Sequence, residues 1–203
     1  MAYAISRESW EKLKVGFVER TSYITNYYMQ ITQINYDICK RHEERKELKK
    51  KDAAAVFIDM NEGIQYDHSE IKVIIFSQLL LEAVINDYAS YNKPEVYTNK
   101  KLDDTSFMAK WKYIPKDITG KDISKKTLDL LDGLKNSRKK LVHYNTEKIP
   151  MDYEEHMQWE HLKLISADDA YNCIKGCLIE LQKIDNTNFQ LFNLEDFSKV
   201  MNS

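Results

Sequence analysis

Arg138 and His143 are the residues whose types and spacing could do acid–base chemistry on an anion. They stand with four residues between them in Leu130 to Tyr144, LLDGLKNSRKKLVHY. Arg138 is the only arginine after Arg45, in a chain with 25 lysines and 5 arginines. Where lysine is the default cation, a single arginine points to a need for a rigid planar fork that grips a phosphate or carboxylate. His143 supplies an imidazole whose proton moves near neutral pH. On an ideal helix, positions five apart point about 140° from each other. One straight helix therefore does not bring both side chains to one small target. Either the helix ends near His143, or another element completes the site.

Several stretches must position this pair. Ser124 can cap the helix that carries it, with Leu128, Leu131, Leu134, Leu141 and Val142 as its core stripe. Arg138 falls within that stripe, so it must find an anion. A second helix from Ser69 to about Tyr91 is apolar on nearly all sides, which marks it as central. Glu82 and Asn86 are four apart on it and share a face. Glu82 is the expected counter-charge for Arg138. Ser166 and Asp169 form a capping box opening a helix to about Asp185, with Ala170, Ile174, Cys177, Leu181 and Ile184 inward.

The N-terminal region reads as one long helix over 9–50. Trp10, Phe17, Ile24, Ile31 and Ile38 recur every seven residues, with Leu13, Tyr27 and Ile34 in companion positions and Arg20 interrupting. This stripe predicts packing along a partner helix, first of all one in the same chain, with an intermolecular coiled coil as the alternative. Lys40 to Asp52 holds eleven charged residues in thirteen. It reads as a solvated helix end, or as a basic arm that reaches RNA with Lys49, Lys50 and Lys51 as its tip. Asp52 caps a short helix, 53–62, that Gly63 ends, and Ile64 to His68 follows as a connector. Asn92 to Asp104 is a loop, and a short helix from Thr105 or Ser106 stops at Pro115. The tail 186–203 is apolar enough to dock on the bundle or on a second subunit.

Composition agrees with a single helical domain spanning 1–203. Five Gly and three Pro are few, and 30 basic residues balance 32 acidic ones. The net charge of −2 makes no global case for nucleic-acid binding, so an RNA site must be a local patch. Cys39, Cys173 and Cys177 are an odd number, and the last two lie one helical turn apart. They need not pair, which fits a reducing, cytoplasmic setting. Met1 opens no charged-then-apolar signal. The most apolar run, Val73 to Ile85, is broken by Ser77, Gln78 and Glu82 and is too short to span a bilayer, so no membrane is expected. His156 and Glu160 could share a helix face, but no third metal ligand follows at suitable spacing. The chain holds neither a glycine-rich phosphate loop nor a nucleophile elbow, and no cofactor is expected.

The stretch from Ile71 to Asp185 resembles the HEPN superfamily (higher eukaryotes and prokaryotes nucleotide-binding domains). Arg138 and His143 match its Arg, four-to-six residues, His signature. Leu79 to Tyr88, LLLEAVINDY, resembles the family's second helix, which often carries Glu and Asn four apart, here Glu82 and Asn86. Phe107 to Ile123 is similar to a connecting segment, and Ile165 to Asp185 to the closing helix. The resemblance implies an up-and-down bundle of four to five main helices with short accessory ones. It implies a metal-independent endoribonuclease of toxin or antiviral type, with Arg and His of two copies lining one cleft. The catalytic pair would be Arg138 and His143. Glu82, Asn86, Asn136, Lys139 and Tyr144 would support it, and Lys135, Lys140, Lys49 and Lys50 would hold RNA. The partners would be a second copy, an RNA substrate and an antitoxin. Lys139 departs from the small polar residue common after the family's Arg. It lies four before His143, where a cation lowers the imidazole pKa. Asn145 stands where some members carry a modifiable Tyr, which argues against that modification. Two further readings stay open: a catalytically silent module binding nucleotide, RNA or protein, and a helical interaction protein that works through its heptad stripe.

Overall fold

The structure, a computed structural model, describes residues 18–51, 60–142 and 164–185. Among them there are six α-helices and no strand: α1 (Val18–Lys51), α2 (Met60–Asn92), α3 (Asn99–Asp103), α4 (Phe107–Thr119), α5 (Lys125–Val142) and α6 (Ala167–Ile184). The all-α bundle that the periodicities predict is the observed architecture. The expected start of the first helix at 9, the C-terminal tail, and His156 with Glu160 lie outside the described residues.

α2 is the helix around which the others pack, and it touches α1, α4, α5 and α6. Val73, Ile74, Leu80, Leu81, Val84, Ile85, Tyr88 and Ala89 are all buried. A helix apolar on every side is stable only when neighbours cover every side. It is also longer than the sequence predicts. Gly63 does not end a short helix, and Ile64 to His68 is not a connector, because α2 runs unbroken through both. An interior glycine costs about 1 kcal/mol relative to alanine. Packing along α1 outweighs it. Tyr66 stacks on His42 of α1 with ring centroids 4.5 Å apart, and Lys46 lies over the Tyr66 ring at 5.0 Å.

α1 turns an unexpected face inward. The heptad residues Ile24, Tyr27 and Ile34 are exposed at 52%, 56% and 59%. The buried positions are Thr25, Met29, Thr32, Asn35, Cys39 and His42. The first expectation, that the stripe packs within the chain, does not hold for these three residues. The physical reason lies in how the polar inward residues are satisfied. Thr32 and Asn35 donate to their own helix, to the carbonyls of Tyr28 (2.8 Å) and Ile31 (2.7 Å). Thr25 Oγ1 donates to Asp87 of α2 at 2.7 Å. The charged stretch divides: Lys40 binds Asp168 of α6 at 2.7 Å and His42 is buried, whereas Glu44 to Leu48 are exposed.

The remaining elements place α5. The expected loop from Asn92 to Asp104 contains α3, capped by Thr98. α4 does not stop at Pro115. It continues to Thr119 and ends on Gly120, whose φ of 75° is a left-handed conformation that glycine adopts without a Cβ penalty. Ser166 and Asp169 form the predicted capping box of α6. Glu180 of α6 then ties down the start of α5, accepting from Ser124 Oγ at 2.8 Å and also from the Ser124 amide and Thr127 Oγ1. A carboxylate there also complements the helix dipole. Tyr88 donates to Asp185 at 2.8 Å and closes the far end of α6 onto α2.

Asp87 generates a pH prediction. Burial pushes its carboxyl from 3.8 up to about 6, and the Thr25 hydrogen bond only partly opposes this. The folded chain thus holds this proton more tightly than the unfolded chain. That contribution to stability is complete below 3.8 and is lost as pH rises through about 6. Asp87→Asn should abolish this part of the pH dependence and raise stability at neutral pH by about 3 kcal/mol. Denaturant titrations of both proteins at several pH values check it.

Candidate functional site

α5 carries the signature arginine in the company that its spacing dictates. Leu131, Leu134 and Ser137 are buried, and the buried hydroxyl of Ser137 accepts from the Ile165 amide at 3.0 Å. Arg138, next in sequence, is half-buried. Its Nε is fully enclosed and has no hydrogen-bond partner among the described residues. The guanidinium also forms no ion pair among them. Lys139 and Lys140 follow on the last turn, exposed. Cations at a helix C-terminus sit favourably against its dipole. Three consecutive basic residues thus mark one end of the bundle.

The predicted supporting residues divide. Glu82 does not pair with Arg138. Its carboxylate binds Lys110 of α4 at 2.8 Å, and Lys110 is only 2% exposed. An ammonium buried that deeply requires its counter-charge more than a half-buried arginine does. Asn86 shares the α2 face with Glu82, and its Oδ1 is buried without a partner among the described residues. Lys135 and Asn136 are both engaged by Asp132 of their own helix, at 2.6 and 2.9 Å. The Lys135 bond, with the Asn136 one, holds the Asp132 carboxyl below its ordinary value. Lys49 and Lys50 lie on the last turn of α1, and their side chains are not described. His143 follows Val142, the last residue of α5, and with Tyr144 lies outside the described residues.

Sequence reasoning missed Lys110. The signal was present: Phe107, Lys110, Trp111 and Ile114 follow the i, i+3, i+4, i+7 pattern of a buried helix face, and all four are buried. Gln78 was also missed as a site residue. It lies four before Glu82, so Gln78, Glu82 and Asn86 form one polar row on the central helix. Gln78 is 6% exposed and its Oε1 has no partner among the described residues, and neither does Trp111 Nε1 on α4. Two enclosed amide oxygens, those of Gln78 and Asn86, on a largely apolar helix are a costly arrangement that packing alone does not demand.

No family model, no curated protein and no solved structure matches the chain. Among the described residues, no group of three or more His, Cys, Asp or Glu is placed to hold a metal ion, and no helix is long and apolar enough to cross a membrane.

The arrangement is a half-buried guanidinium with no hydrogen bond or ion pair among the described residues, followed by two exposed lysines. It can bind an anion. The Glu82–Lys110 pair is a separate structural unit. Glu82→Ala should destabilise the fold by about 3 kcal/mol, because it leaves Lys110 buried without a counter-charge. A Glu82→Gln, Lys110→Met double variant should recover most of that loss. Chemical denaturation of the three proteins measures it.

Proposed function

We propose that the chain is a metal-independent endoribonuclease of toxin or antiviral type that cleaves RNA by 2′-hydroxyl attack at a composite site in a homodimer. One observation carries the reading: Arg138 is half-buried, with an enclosed Nε and no anionic partner among the described residues. A half-buried guanidinium left uncompensated is suited to an anion from outside the chain, and a phosphodiester fits its planar fork. The exposed Lys139 next to it adds charge that a nucleic-acid backbone would meet.

In the proposed reaction, His143 of one copy takes the proton of a ribose 2′-hydroxyl. The 2′-oxygen attacks the adjacent phosphorus, and the bond from phosphorus to the 5′-oxygen breaks. His143 of the second copy gives that oxygen its proton. The products are a 2′,3′-cyclic phosphate and a 5′-hydroxyl. Arg138 holds the phosphate and stabilises the charge that builds on it. Glu82 acts at a distance, by fixing α4 against α2 through Lys110. An antitoxin would act by covering the Arg138 end.

A binding module without catalysis is the second reading. The engagement of Glu82 by Lys110 favours it, because Arg138 then lacks a carboxylate to orient it. Cleavage of labelled RNA separates the two. Arg138→Ala and His143→Ala should each lower the rate on the order of 100-fold or more. A mixture of the two inactive chains should regain part of it, since a shared site then holds one intact copy of each residue. His143→Ala should also relieve any growth inhibition on overexpression. RNA binding that weakens with Arg138→Ala, with no cleavage by the unaltered chain, would establish the binding module instead.

A further inference from the structure

Contacts between the helices fix which of their ends meet. α1 runs antiparallel to α2, since Thr25 donates to Asp87 and His42 stacks on Tyr66. α6 runs parallel to α2, since the Ala167 amide donates to Glu70 at 3.3 Å and Tyr88 donates to Asp185 at 2.8 Å. α5 runs antiparallel to α6, with Ser124 held by Glu180 and the Ile165 amide donating to Ser137 at 3.0 Å. The C-termini of α1 and α5 therefore lie at the same end of the bundle. Each carries three consecutive cations there: Lys49, Lys50 and Lys51 on α1, and Arg138, Lys139 and Lys140 on α5. Lys40 binds Asp168 and Ser137 binds Ile165, so these two residues stand at similar heights. From there α1 continues to Lys51 and α5 to Val142. At 1.5 Å per residue, the α1 end projects about 10 Å farther out.

We infer that this end of the bundle is one surface for a single RNA strand, gripped at Arg138 and Lys139 and again at the projecting end of α1. The inference rests on the reading of Arg138 as a phosphodiester contact. Charge supports it. Lys40 to Leu48 is nearly balanced, with four cations and three carboxylates, so the lysines at 49–51 are in excess. Carboxylates at this end are largely spoken for inside the bundle: Glu43 and Asp168 by Lys40, Glu70 by the Ala167 amide, and Asp169 by its capping box. Glu44, Glu47 and Asp67 are exposed, too few to neutralise the cations of the two helix ends. Shape selects the occupant. α1 and α5 both pack on α2, so their axes are at most about 20 Å apart. A flexible chain of phosphates can bridge two cation clusters at different heights. A flat anionic membrane meets the α1 end first and stays about 10 Å from Arg138, roughly one screening length at physiological salt. A free phosphate reaches one cluster and not the other.

Fluorescence anisotropy with the full chain tests this, using a long single-stranded RNA whose 2′-hydroxyls are methylated so that it is bound and not cut. The Lys49→Gln, Lys50→Gln double variant should bind it about tenfold more weakly at low salt. The slope of log affinity against log salt should fall by about 1.4, since each lost phosphate contact removes about 0.7. Arg138→Ala should lower the same slope by about 0.7. The Lys125→Gln, Lys126→Gln double variant removes equal charge at the opposite end of the bundle, and should bind like the unaltered chain. Helical circular dichroism should be the same for all four proteins. Equal losses from the two double variants overturn the inference, because the binding is then a general charge effect. An α1 variant that binds like the unaltered chain overturns it too, as does a chain that binds phosphatidylserine vesicles and not the RNA. Cleavage is read separately, on unmethylated RNA. A chain that grips RNA at both points and cuts nothing upholds this surface and refutes the nuclease. Cleavage with an α1 variant of unchanged affinity keeps the nuclease and refutes this surface.

Discussion

The bundle depends on the burial of α2. Its side chains are apolar on nearly all sides, so water is excluded from it only if helices lie around it. α1, α4, α5 and α6 supply that cover. The placement of every other element follows from this need. Glu180 and Tyr88 act as polar fasteners that hold α5 and α6 in the positions that α2 requires. Even Gly63 is carried as helix, because interrupting α2 would expose one end of the seam with α1.

An apolar central helix makes each polar group on it consequential. Asp87 is tolerated through Thr25 and through a raised proton affinity. Glu82 is tolerated through Lys110. The second pairing has a consequence at a distance. By binding the lysine of α4, Glu82 is withdrawn from the arginine of α5. Arg138 therefore does not have Glu82 as its counter-charge, and the deeply buried Lys110 does.

α1 is amphipathic in an inverted sense. The side it buries carries threonine, asparagine, methionine, cysteine and histidine, while isoleucine, tyrosine and leucine are exposed among polar residues such as Asn26, Gln30, Asp37 and Arg41. Threonine and asparagine can be buried because they return their hydrogen bonds to the carbonyl one turn back. Their inward placement leaves the more hydrophobic stripe outside.

The sequence by itself determined the helical class, the central role of the helix through Leu79 to Tyr88, the capping box at Ser166 and the inward row of the last helix. These are local matters of period and capping, and period is carried by residue order alone. It also placed Arg138 on the buried stripe of its helix. Only the tertiary structure decided which face of α1 turns inward, since two competing faces of one helix differ in their partners and not in their own spacing. Only the tertiary structure showed that Gly63 and Pro115 lie inside helices, because packing supplies more than the local propensity they forfeit. And the partner of Glu82 was beyond any one-dimensional reading. A carboxylate chooses between Lys110 and Arg138 by distance and burial, and both exist only once α4 and α5 are laid against α2.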